Sequence, residues 1–187
     1  MKYQIATGPA TEPVTLSEAK TQLRVEHNEE NDLIAHLISV CRRKVEQETG
    51  RLLLTQTVSV RWDSWPVHGV FELPLYPAQS VTSFNYIDPN GALTLWPSDN
   101  YQTDFVGMCP RIMAKPDVDL PDIGDYANAI QVEYVAGETS VSNVPPELKH
   151  AILVEIGFLY ERREDMPMSE GIRTANWLQF NSRQHLI

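Results

Sequence analysis

The segment that most constrains this chain is PVTLSEAKTQLRVEHNEENDLIAHLISVCRRKVEQETGRLL, which reads as two consecutive helices. Thr15 precedes Leu16 and lies three residues before Glu18. That is a capping box, in which each side chain satisfies a backbone donor of the other residue. Leu16, Ala19 and Leu23 follow at helical spacing. The pattern breaks at Glu26-His27-Asn28. Asn28 is expected to cap the second helix, with Glu29, Glu30 and Asp32 where the positive end of the dipole favours acids. Leu33, Ile34, Leu37, Ile38, Cys41 and Val45 then make one apolar stripe. Arg42, Arg43 and Lys44 fall toward the end that favours cations, and Gly50 is a stop signal.

After Gly50 the periodicity changes. Residues 54–62 (LTQTVSVRW) alternate and are rich in Thr and Val, which predicts a strand. Shorter strands are expected over 70–75, 81–87, 92–96, 101–105 and 111–114. Asp88-Pro89-Asn90-Gly91 is a turn, because Pro presets one torsion and Gly supplies a positive φ. Residues 115–128 are acidic and loop-like, and 129–135 (AIQVEYV) are the clearest strand. A third helix opens at Val144-Pro145-Pro146 with Leu148, Ile152, Ile156 and Leu159 on its apolar face. Residues 172–181 can form a short terminal helix carrying Trp177, Leu178 and Phe180.

The expected fold class is therefore α+β. It is a small helical bundle of three main helices plus a C-terminal helix, with an inserted β-rich hairpin or meander element. Residues 14–51 and 144–165 make the bundle, 52–137 the insertion and 166–187 the C-terminal segment of one domain spanning 1–187. A chain of 187 residues is long enough for one well-buried core.

The formal net charge of −10 argues against a protein built to grip phosphate. The acidic set Glu26, Glu29, Glu30, Asp32, Glu46 and Glu48 reads as a solvated, dipole-matched surface, or as a face that meets a basic partner or repels DNA. Cys41 reads as core packing and Cys109 as the one candidate exposed thiol. The first residues lack the apolar stretch of a signal peptide, and no run reaches membrane-spanning length.

Chemistry-bearing motifs are absent: no Gly-rich phosphate loop, no Gly-x-Ser-x-Gly, no His-Glu-x-x-His. His27, His36, His68, His150 and His185 are scattered. Asp117, Asp119, Asp122 and Asp125 have the spacing of a calcium loop at three positions but lack its glycine and terminal glutamate. The aromatics Trp62, Trp65, Trp96, Tyr76, Phe84, Tyr86 and Tyr101 either pack a small sheet or form a stacking platform for a sugar. Exposed Trp65 or Trp96 would favour the platform.

Three segments together carry a resemblance. EPVTLSEAKTQLRV followed by DLIAHLISVCRRKVEQETGRLLLTQT, then FELPLYPAQSVTSFNYIDPNG, then VPPELKHAILVEIGFLYERRE are similar, in that order, to the head–tail connector (adaptor or head-completion) family of long-tailed phages and prophages. The resemblance implies a structural virion protein at the head–tail interface, assembled in the host cytoplasm. It implies a ring of roughly twelve copies on the portal protein. It further implies a docking surface for a stopper or tail-completion protein, and a channel through which DNA passes without specific binding. No catalytic residue, metal, cofactor or membrane contact is implied. Trp177, Leu178, Phe180 and Arg183 are the expected portal-docking residues, an aromatic anchor beside arginine. Glu29, Glu30 and Asp32 are the expected channel or subunit contacts. The alternatives are a carbohydrate- or surface-binding virion module and a small hydrolase.

Overall fold

The change from helical to alternating periodicity after Gly50 separates two kinds of structure in a computed structural model that describes residues 1–162. In chain order the elements are β1 (Lys2–Thr7), α1 (Leu16–Leu23), α2 (Asn31–Thr49), β2 (Gln56–Trp62), β3 (Val70–Glu72), β4 (Ala78–Ile87), β5 (Leu93–Leu95), β6 (Tyr101–Asp104), β7 (Arg111–Ala114), β8 (Ile130–Ala136) and α3 (Pro146–Glu161). The fold is α+β, with three helices and two antiparallel sheets among the described residues. The described residues divide into two compact units: a sheet unit of residues 1–9 and 55–138, and a helical unit of residues 10–54 and 139–162. The expected terminal helix over 172–181 lies outside the described residues.

In the helical unit the apolar stripes meet. Ile34, Ile38, Cys41 and Val45 of α2 pack with Ala151, Ile152 and Ile156 of α3, with Ala19 of α1 and with Val14 and Leu53. The capping box of α1 forms as expected: Thr15 Oγ1 accepts from the Glu18 amide at 3.2 Å, and Glu18 Oε2 accepts from the Thr15 amide at 2.7 Å. Helix α2 ends at Gly50, whose φ of 68° turns its amide back onto the Glu46 carbonyl at 2.9 Å. Its start differs from expectation. The N-cap is Glu30, not Asn28. Asn28 Oδ1 accepts from Lys20 Nζ at 2.8 Å instead, so its capping oxygen ties the elbow to α1.

In the sheet unit, strands short enough for a run of hairpins build something less local. The larger sheet has the order β1-β2-β8-β4-β5, and the smaller β3-β7-β6. Only β4–β5 and β6–β7 join sequence neighbours. Strand β8 is central, and its side chains alternate strictly between buried and half-buried. Both its edges are paired, to β2 and to β4, which satisfies its backbone donors and acceptors. The β4–β5 turn forms at Asp88–Gly91, where Asp88 Oδ1 accepts from the amides of Asn90 and Ala92, and Gly91 has a φ of 85°. Strand β1 has no counterpart in the sequence expectation.

The two sheets close on aromatic rings. Phe71 of β3 meets Phe84 of β4 edge-on at 5.0 Å and Trp62 of β2 at 5.2 Å. Trp96 lies 4.6 Å from Phe84 and 5.6 Å from Tyr101. Buried Tyr134 donates its hydroxyl to the Leu75 carbonyl and accepts from the Leu75 amide, and burial raises its pKa above the ordinary tyrosine value.

Candidate functional site

The charged residues of α2 do two different jobs, and only one of them is at the surface. Arg42, expected near the solvated helix end, is buried. Its Nε donates to Glu12 Oε2 and its Nη1 to Glu46 Oε2, both at 2.7 Å. Glu46 is buried too, and its second oxygen accepts from the Leu53 amide at 2.9 Å. Lys44 donates to Glu155 of α3, a buried carboxylate on that helix's apolar side. The i,i+4 spacing of Arg42 and Glu46 could have signalled a pair. Its burial could not be read, because Glu12 and Leu53 reach it from outside the helix. Glu46 therefore does not belong to the acidic surface.

The acidic elbow at the start of α2 is the other job. His27 Nδ1 contacts Glu29 Oε2 at 2.9 Å, and its Nε2 lies 3.8 Å from Glu30 Oε2. Glu29 is exposed. Its carboxyl is held below the usual range first by a hydrogen bond from its own backbone amide and then by His27. Glu30 is half-buried and accepts from the Tyr160 hydroxyl of α3. Asp32 is exposed. Of the three acids singled out, two face solvent and the third links the elbow to the third helix.

The remaining candidates resolve individually. Trp96 is 3% exposed, and Trp65 is half-buried with its indole N–H donated to the Pro121 carbonyl at 2.8 Å. These rings are interior packing, which removes the stacking platform. Among the described residues no cluster of three or more His, Cys, Asp or Glu side chains converges. Asp117, Asp119, Asp122 and Asp125 thus form no common ligand set. Cys41 is buried, with its thiol pKa pushed up to about 12 chiefly by desolvation, and Cys109 is exposed. Two open grooves flank α1, lined by residues that include Ser17, Thr21, Arg24 and Leu153. Among the described residues no helix is long and apolar enough to cross a membrane. Trp177, Leu178, Phe180 and Arg183 lie outside the described residues.

The exposed acids Glu29 and Asp32 and the edges of the larger sheet are among the surfaces open to solvent. Every residue of β1 is exposed, with Tyr3 at 53% and Ile5 at 41%. At the opposite edge, Leu93 and Leu95 of β5 are 59% and 62% exposed. The sequence reading has a strand over 92–96 but none over residues 2–7. The signal was there in KYQIAT, which alternates as strands do.

Residues 13–83 match the model of the phage gp6-like head–tail connector proteins. No curated protein matches the chain in sequence. Among solved structures the fold is similar to a chain of the virion of a native gene transfer agent particle, with a TM-score of 0.79 and 19% identity, covering 96% of this chain and 94% of that one. It is also similar to a chain from the neck of an empty gene transfer agent particle computed with C6 symmetry, with a TM-score of 0.77, 19% identity and 95% of each chain covered. A chain from the neck of the native particle, computed with C12 symmetry, gives 0.69 at 18% identity, over 95% of this chain and 94% of that one. These likenesses are of fold, and the sequence match is confined to the segment built around α1, α2 and the first strands after them. Over residues 13–83, this chain is similar in sequence to the phage gp6-like head–tail connector proteins, the family that the order of its segments resembles.

Proposed function

We propose that this chain is a structural subunit of the head–tail connector of a phage-like particle and does no covalent chemistry. The observation that carries the reading is the connector match over residues 13–83, supported by a fold shared along nearly the whole chain with neck and virion proteins. In this reading both compact units serve one connector protomer: the helices are its body and the sheet unit, with its two hairpins, is the arm inserted into that body. Copies form a ring at the portal vertex of the head. The number is roughly twelve, set by closure of a contact between two unlike faces. The ring lengthens the DNA channel and offers its far side to a stopper or tail-completion protein.

Two surface assignments belong to this proposal. Trp177, Leu178, Phe180 and Arg183 dock on the portal, because an aromatic anchor beside arginine is the side-chain chemistry that dominates interfaces. Glu29 and Asp32 face the channel or the neighbouring copy, where exposed acids keep phosphates hydrated and moving; Glu30 supports them from its bond to Tyr160. The test is complementation of particles lacking this chain. Wild-type protein restores tail-joined particles. Trp177→Ala with Phe180→Ala leaves the circular dichroism spectrum unchanged and abolishes attachment to portal-bearing heads. Undiminished yield of tailed particles from that double variant would sink the docking assignment.

A further inference from the structure

We infer that β1 and β5, the two free edges of the larger sheet, meet in successive copies of this chain, so that one subunit's sheet continues into the next. The inference rests on the ring reading above and names the contact that closes it. An edge strand exposes a row of unpaired backbone donors and acceptors, which soluble proteins ordinarily blunt or cover. Among the described residues no strand pairs with the outer edge of β1, and all six of its residues are exposed. On β5 the pairs Trp96–Phe84 and Asp88–Ala92 take the inward backbone bonds. Ladder alternation then leaves the N–H and C=O groups of Leu93 and Leu95 pointing away from β4.

Direction and charge both favour a head-to-tail repeat. All four pairings from β1 through β2, β8 and β4 to β5 are antiparallel, so β1 and β5 run the same way. A neighbour rotated about an axis therefore brings its β1 alongside β5 as a parallel strand. The register Lys2–Arg61–Gln131–Asn85–Leu95 runs straight across the sheet. It puts Lys2 of the β1 edge and half-buried Arg61 of neighbouring β2 on one face, and neither has an ion pair with a carboxylate among the described residues. The same end of the sheet carries, at the β5 edge, the Asp88 turn and the exposed Asp125. Asp125 is held beside that turn by the bond from the Gly124 amide to the Ile87 carbonyl. A basic edge thus meets an acidic one, and Leu93 and Leu95 gain cover on the face that Lys2 and Gln4 share.

The test uses the full chain with Cys109→Ser, Cys41 being buried. Gln4→Cys combined with Leu95→Cys, treated with a short bis-maleimide under ring-forming conditions, gives a ladder of trimers and higher species. Either cysteine alone gives none. Dimers from Gln4→Cys alone would indicate a two-fold β1–β1 pairing and overturn the inference, as would no ladder from rings visible in the microscope. In parallel, Leu95→Lys keeps the wild-type melting temperature and lowers the ring population at least tenfold. If wild-type protein forms rings and Leu95→Lys forms them equally, this contact is wrong and the ring reading stands. If wild-type protein forms no ring, alone or on portal-bearing heads, both fall.

Discussion

Replacing Arg42 with Met should be among the most damaging single changes to the helical unit. The Arg42 side chain is 6% exposed and Glu46 7%, while Glu12 is 31% exposed. The substitution removes two charge-assisted bonds of 2.7 Å and leaves the Glu46 carboxylate buried without its guanidinium partner, still accepting from the Leu53 amide. Removing one partner of a buried pair costs about 3–5 kcal/mol, mostly through the charge left behind. The bond to half-exposed Glu12 accounts for about 1 kcal/mol of that at most. Removing both charges, as Arg42→Met with Glu46→Leu, should cost far less than the sum of the single changes. What remains is the unpaired Leu53 amide, worth about 1–3 kcal/mol. Because the chain has two units, the assay must follow each. Trp62, Trp65 and Trp96 lie in the sheet unit and the three helices in the other. In a Trp177→Phe background, fluorescence then tracks the sheets and ellipticity at 222 nm tracks the helices. The ellipticity transition should move to lower urea in Arg42→Met, and the double-mutant cycle should show a coupling of about 2 kcal/mol or more. A single substitution costing under about 1 kcal/mol, or additive singles, would refute a buried, mutually dependent network.

Two further outcomes follow from local chemistry. Thr15→Ala should destabilise α1 by about 1 kcal/mol. It should also raise the Glu18 pKa, which hydrogen bonds from the Thr15 side chain and backbone now hold below the usual value. A depressed carboxylate stabilises above its unfolded pKa and loses that contribution as pH falls through the folded one. The Thr15→Ala deficit should therefore shrink in acid, as a carboxyl NMR titration alongside urea melts at two pH values would record. Native protein should release one equivalent in a thiol assay, from exposed Cys109, and a second only on unfolding, from Cys41. Rapid reaction of both in native buffer would contradict the buried position of Cys41.

Local signals in the sequence reached far. The Thr15–Glu18 box, the Gly50 stop, the turn at Asp88–Gly91 and the opening of α3 at Pro146 are each written within a few residues, and each forms. The same holds for β7, whose ends at Arg111 and Ala114 follow from its flanking loops. What could not be read needs partners distant in the chain. Strand order is one case, since nothing local tells β8 to sit between β2 and β4. The burial of Arg42 and Glu155 is another, because each also relies on a residue of another segment, Glu12 and Lys44 respectively. Asn28 lost its capping role for the same reason, to Lys20. At the candidate site, Glu29 and Asp32 were legible as surface acids, whereas Glu30's bond to Tyr160 was not.

The placement of the third helix has a cost during synthesis. Ile34, Ile38, Cys41 and Val45 leave the ribosome long before Ile152 and Ile156, with the entire strand-bearing stretch made in between. At ordinary translation speeds that apolar strip waits uncovered for roughly 5–20 s. The helical unit therefore matures last, after the sheets it is interrupted by. Cells making many copies at once would be expected to lean on a holding chaperone until α3 arrives.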